Sequence, residues 1–221
     1  SETVTADTTD TTDPYGTNVA DKITDGVGAN TYVRNQTISY TAGTSYTLSV
    51  FAKKGTKNSV ALRLPVGAFT QSYDVIANLS TGAIYSTSSG ATSKIEVLHN
   101  GWYRVSVTAT ATTTASVTTN IYIANDDTTT LSYTGDGTGD IYIFGAQLEA
   151  LPFATSYIPT TTTAVTRVRD MLYFNTVGNL PNPSEITIGM DVILSSTTAS
   201  KYFFGNYSSA SNYIAIRTTA G

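Results

Sequence analysis

Few side chains in this sequence could move a proton or hold a metal. Its one histidine, His99, directly precedes Asn100-Gly101. A general base needs a positioned partner, and none is signalled there, so His99 reads as a solvated turn residue. Cysteine is absent, which removes disulfides and thiolate metal sites together. Serine and threonine are too abundant to single out a nucleophile, and no GxSxG or P-loop pattern occurs. Paired carboxylates for glycoside cleavage would have to come from Asp136/Asp140 or Asp126/Asp127. All four lie in turn-like stretches, where aspartate is expected for its local hydrogen bonding. The expectation is a non-catalytic protein.

One further chemistry is open to Asp136-Gly-Thr-Gly-Asp140. Carboxylate and backbone oxygens of such a loop can gather around calcium. The spacing is not that of an EF-hand, however, and the loop is not iterated. It reads as a plain turn, with a weak calcium candidate in Asp136 and Asp140, and no other cofactor is signalled.

The rest of the composition says what kind of chain must position these groups. Charged residues make up 13% of the 221, about half the usual ~25%. Threonine takes their place with 42 residues, beside 15 tyrosines and 17 glycines. Threonine and tyrosine favour strands and glycine favours turns. The net charge is −4, and no basic cluster exceeds Lys53-Lys54. Phosphate neutralisation needs a basic stripe, so nucleic acid is not an expected partner. No apolar run approaches the ~18 residues of a membrane helix, and no membrane partner is expected. The opening SETVTADTTDTTDPYG has neither an apolar signal region nor an initiator methionine, and reads as a processed chain or a portion of a longer one.

The elements follow from periodicity. Residues 1–13 are Thr/Asp-rich and read as a polar, solvated N-terminal arm. Residues 18–25 form a short strand candidate. In residues 46–53, Tyr46, Leu48, Val50 and Ala52 alternate with polar neighbours, the period of a half-buried strand. Val60, Leu62 and Leu64 repeat it until Pro65. Residues 69–79 continue through Tyr73, Val75, Ala77 and Leu79, and Ser80-Thr81-Gly82 turns into residues 83–86. Asn100-Gly101 between residues 94–99 and 102–110 is the strongest hairpin signal of the chain, because both residues tolerate positive φ. Asn120-Ile-Tyr-Ile and Asp140-Ile-Tyr-Ile then echo one another, isoleucines on one face and tyrosine on the other. About nine or ten strands at this spacing predict an all-β fold, an antiparallel β-sandwich or jelly roll. Residues 159–170 are a Thr-rich linker. After it, 171–175, 185–194, 201–205 and 213–217 are four strand candidates. Four strands in about 50 residues are too few for an independent sandwich. Residues 171–221 are therefore expected to be an incomplete second β-sandwich, continued beyond them or completed by neighbouring copies.

DPYGTNVADKIT at Asp13, YTAGTSYTLSVFAKKGT at Tyr40, GWYRVSVTATAT at Gly101 and GDGTGDIYIFGAQLEALPFATSYIPTTTTAVTRVRD at Gly135 resemble a module of bacteriophage virion proteins. Such modules sit in tail fibres, head fibres and related appendages, and are similar to the jelly-roll carbohydrate-binding modules of glycan hydrolases. The resemblance covers roughly residues 13–170. It implies a jelly-roll domain at 14–158, followed from Met171 by the first strands of a concanavalin A-like (laminin G-type) domain. It further implies a location on the virion, other virion proteins and host-surface glycan as partners, and a homo-oligomer, commonly a trimer. It adds some weight to a structural calcium. Two alternatives stay open: a carbohydrate-binding module of a secreted glycan-degrading protein, and a purely structural virion module without a glycan ligand.

A glycan-binding role needs flat aromatic side chains for the apolar faces of sugar rings, with polar neighbours for the hydroxyls. The candidates are the aromatics out of step with the inward face: Trp102, Tyr122 and Tyr142. For Trp102 a scaffold role outweighs a contact role. For the two tyrosines, core packing and ligand contact stay evenly matched.

Overall fold

The computed structural model describes residues 2–126, 130–160 and 163–166, together with the backbone of two strands within 201–218. The chain divides into two compact units, Ser1–Val165 and Thr166–Gly221. The first holds twelve strands: β1 (Thr3–Thr5), β2 (Asp21–Thr24), β3 (Val27–Tyr40), β4 (Ser45–Lys54), β5 (Ser59–Leu64), β6 (Tyr73–Asn78), β7 (Ala83–Thr87), β8 (Thr92–Val97), β9 (Trp102–Thr110), β10 (Ala115–Ile123), β11 (Ser132–Asp136) and β12 (Asp140–Glu149). Two six-stranded sheets, in the orders β1-β2-β12-β4-β9-β8 and β11-β3-β10-β5-β6-β7, are antiparallel throughout. They form the predicted jelly-roll-like β-sandwich. In the second unit, β13 (Lys201–Ser209) pairs antiparallel with β14 (Asn212–Thr218). The strand candidates at 171–175 and 185–194 lie outside the described residues, as do Asp127 and most of the segment 161–170.

Alternation places the core where it was expected. Val50, Val60, Leu62, Leu64, Val75, Val105 and Val107 are fully enclosed between the sheets, joined by Ile121, Ile123, Ile141 and Ile143 from the two echoing strands. At the β8–β9 hairpin Asn100 has φ 58° and Gly101 φ 76°. Both take the left-handed conformation that Asn-Gly tolerates.

Two sequence expectations change. The first is the half-buried character of β4: Thr47, Ser49 and Phe51, on its outer side, are buried as deeply as the inner residues. The chain following β12 crosses this face. Thr47 Oγ1 donates to the Leu151 carbonyl (2.8 Å), and Arg104 donates through Nη1 to the Thr155 carbonyl (2.5 Å).

The second is the solvated N-terminal arm. Residues 2–13 pack on the sandwich: β1 extends the first sheet at β2, Thr8 and Asp13 are buried, and the Thr8 amide donates to the Ala20 carbonyl (2.8 Å). Polar composition did not keep this arm in water, because its backbone found a sheet edge and its carbonyls found donors.

Candidate functional site

A surface for hydroxyl-rich ligands must present fixed donors and acceptors in one plane, and the outer face of the second sheet does so. The β3–β10, β10–β5 and β5–β6 registers align Asn35, Asn120, Arg63 and Asp74 in one row across four strands. Arg63 grips Asp74 with a two-pronged fork, Nε to Oδ1 and Nη2 to Oδ2, each 2.7 Å. The Asp74 hydrogen bonds outweigh burial and push the Arg63 guanidinium further up. The fork stands partly exposed, 28% for Arg63 and 23% for Asp74. Further along β3 and β10, Thr37 meets Thr118 (3.3 Å) and Ser39 meets Ser116 (2.7 Å), which extends the polar strip.

Tyr122 lies in the next row, between Val33 and Ala61. The residue is only 7% exposed and sits in an apolar cluster with Ala61, Ile76 and Ala124. The Arg63 guanidinium lies over it, 5.4 Å from the ring centroid. A sugar ring therefore cannot stack on Tyr122, because that face is occupied by Arg63 and apolar neighbours. The tyrosine instead forms the floor under the Arg63–Asp74 fork.

Tyr142 is half-buried on the outer face of the other sheet, with Lys22 Nζ 5.8 Å from its ring centroid. The two Ile-Tyr-Ile strands belong to different sheets. Their isoleucines meet in one core, so their tyrosines point in opposite directions. They do not share a contact surface.

Trp102 is fully buried, with Phe51 and Ala20, and its Nε1 donates to the Thr12 carbonyl at 2.9 Å. It presents no face to a ligand and anchors the N-terminal residues. The aromatic that composition alone did not single out is Tyr15, 63% exposed and at the margin of a cluster with Phe51, Phe144 and Tyr157.

The two calcium candidates do not converge. Asp136 is exposed and accepts from the Thr138 amide (2.9 Å) and hydroxyl (2.7 Å), bonds that hold its pKa down. Asp140 is buried, pairs with Lys22 Nζ (3.0 Å) and accepts from the Thr56 amide (2.8 Å). The loop between them turns its amides toward a third carboxylate, Asp25. Oδ1 of Asp25 accepts from Gly137 N (3.0 Å) and Gly139 N (3.1 Å), and Oδ2 from the Tyr133 hydroxyl (3.1 Å). A loop that aims N–H groups inward suits an anion, and Asp25 supplies it. Among the described residues no three His, Cys, Asp or Glu side chains are grouped to hold a metal. Asp126 accepts from the Asn58 amide (2.8 Å), and His99 is exposed in its turn.

Burial acts on several phenols in the same direction. It is the leading cause raising Tyr40, Tyr122 and Tyr133, the last also lifted by the Asp25 charge. A phenol with a folded-state pKa above its unfolded value near 10 keeps its proton after the unfolded chain has lost it. The native state then binds more protons above that pH, and stability falls as pH rises. Alkaline titration followed by phenolate absorbance and circular dichroism should show these tyrosines ionising together with cooperative unfolding. Smooth ionisation of every tyrosine near pH 10 with the fold intact would contradict this.

No family model and no curated protein matches the sequence.

Proposed function

We propose that this chain is a non-catalytic structural and adhesion module of a phage virion, a fibre or decoration unit that contacts host-surface glycan. The resemblance of residues 13–170 supports the virion setting. The observation that carries glycan contact is the Asn35–Asn120–Arg63–Asp74 row. Such a row offers planar amide, guanidinium and carboxylate groups with donors and acceptors left for sugar hydroxyls. Arg63 spends Nε and Nη2 on Asp74, and among the described residues Nη1 reaches only the Tyr122 hydroxyl, at a long 3.5 Å.

In this reading the module docks to other virion proteins and assembles as a trimer. Mass measurement in solution tests the assembly, and a stable monomer would count against it.

The glycan reading is tested by a host-polysaccharide array with the wild type and Arg63→Met. Methionine keeps much of the side-chain stem while removing the charge-assisted bonds, each worth about 1.5–3 kcal/mol, so affinity should fall roughly 10–100-fold with the fold retained. Full binding by a folded Arg63→Met would sink the assignment of this face. If no glycan binds the wild type, the module is purely structural.

A further inference from the structure

The interior of the sandwich is not filled everywhere. A cavity of about 260 Å³, open to solvent at one side where Asn35, Gln36 and Ala146 are exposed, lies between the two sheets, beside β1 and β12. One side of it is aliphatic, with Ile23, Ile38, Leu48, Ile121, Ile143 and Leu148 from five strands of both sheets, and its polar side carries Asp21, Asn35, Gln36, Thr119 and Gln147; no aromatic ring is among the lining residues. A bulge in β12 shapes it. The register to β4 slips between Phe144 and Gln147, so β12 carries one extra residue there. Without it, Ile143 and Leu148, five residues apart, would point to opposite faces of the strand. With it, both face inward.

Arg34 also lines this space. It stands opposite Ile121 in the β3–β10 register, on the core side of the sheet. Among the described residues its one ion-pair partner is Glu2, at 3.7 Å, and its buried Nε has no hydrogen-bond partner. A buried guanidinium nitrogen left unpaired is costly. Aliphatic walls beside an unsatisfied donor suit a ligand with an apolar body and an acceptor at one end. A sugar would want an aromatic platform for its apolar face, and the lining holds no aromatic ring.

We propose that this cavity binds the aliphatic chain of a small amphiphile whose hydrogen-bond-accepting head group is held by Arg34. At roughly 30 Å³ per water-sized group, the cavity of about 260 Å³ takes about nine such groups, the bulk of an eight-carbon chain with its head. Asn35 borders both this site and the outer polar row, but the proposal rests on Arg34 and the aliphatic wall and not on the Arg63–Asp74 fork that carries the glycan reading.

The test titrates methyl-labelled protein with octanoate, octanol and octylamine and follows the isoleucine and leucine methyl resonances. Octanoate and octanol should shift Ile121, Ile143 and Leu148 saturably, with contacts from the ligand chain to those methyls. Octylamine, whose ammonium can only donate, should bind at least tenfold more weakly. Arg34→Met should abolish this preference and weaken octanoate at least tenfold. Octylamine binding as tightly as the others would assign the mouth to Asp21 and Glu2 and overturn the proposal. So would shifts confined to other residues, the absence of any shift, or a crystal soaked with octanoate showing only water in the cavity. The ligand-to-methyl contacts are read on the wild type, so a misfolded variant leaves the test decisive.

Discussion

Replacing Asp25 with alanine is expected to destabilise the first unit by about 3–6 kcal/mol. Asp25 is 3% exposed and accepts from two glycine amides and one tyrosine hydroxyl. Alanine strands all three donors, and each buried orphan costs about 1–3 kcal/mol. For a domain of this size, each kcal/mol lowers the Tm by about 2–4 °C, so a fall of roughly 6–24 °C is expected in thermal unfolding. Asp25→Asn keeps an acceptor for Gly137 and Gly139 and should cost distinctly less. A folded Asp25→Ala within about 1 kcal/mol of wild type, on the same scale of orphan costs, would show that the loop satisfies its amides elsewhere. A marked fall in wild-type Tm on adding a chelator would instead make this carboxylate a cation ligand and overturn its assignment as the acceptor of the loop amides.

Trp102→Ala carries the second large effect. The side chain is wholly enclosed and holds the N-terminal residues through Thr12. Trp→Ala substitutions in cores cost about 3–5 kcal/mol from lost burial and the cavity left behind. Hydrogen exchange or limited proteolysis should show residues 2–13 released in this variant. Trp102→Phe retains most of the packing and gives up the Nε1–Thr12 bond, at about 1 kcal/mol. If Trp102→Ala unfolded like wild type yet lost glycan affinity, Trp102 would be a ligand contact and its burial would be wrong.

These two residues illustrate how far the sequence could be read. The sequence shows Trp102 as an aromatic out of step with the inward face of β9, which favours a scaffold role. What covered it was not visible, because its partner Thr12 lies 90 residues away in a stretch that composition marks as solvated. Asp25 ends the strand candidate at residues 18–25, and nothing local marks it as a buried acceptor. Its partners Gly137 and Gly139 are 112 and 114 residues distant, and no local pattern announces them. The longest strand among the described residues, β3, gives no clean sequence signal, and its burial does not alternate. Its pairing with β10 and β11, and not its own side chains, makes it a strand.

By itself the sequence determined the class of fold, the hairpin at Asn100-Gly101 and the inward set from Tyr46 through Ile143. Each of these rests on a local rule, either a two-residue period or a backbone angle that only some residues accept. The tertiary structure decided which outward residues meet. It set Tyr122 and Tyr142 on opposite faces, turned the amides of the loop at Asp136–Asp140 onto the Asp25 carboxylate, and aligned Asn35, Asn120, Arg63 and Asp74. Those outcomes depend on register between strands far apart in sequence. A shift of one residue would turn every one of these side chains to the other face.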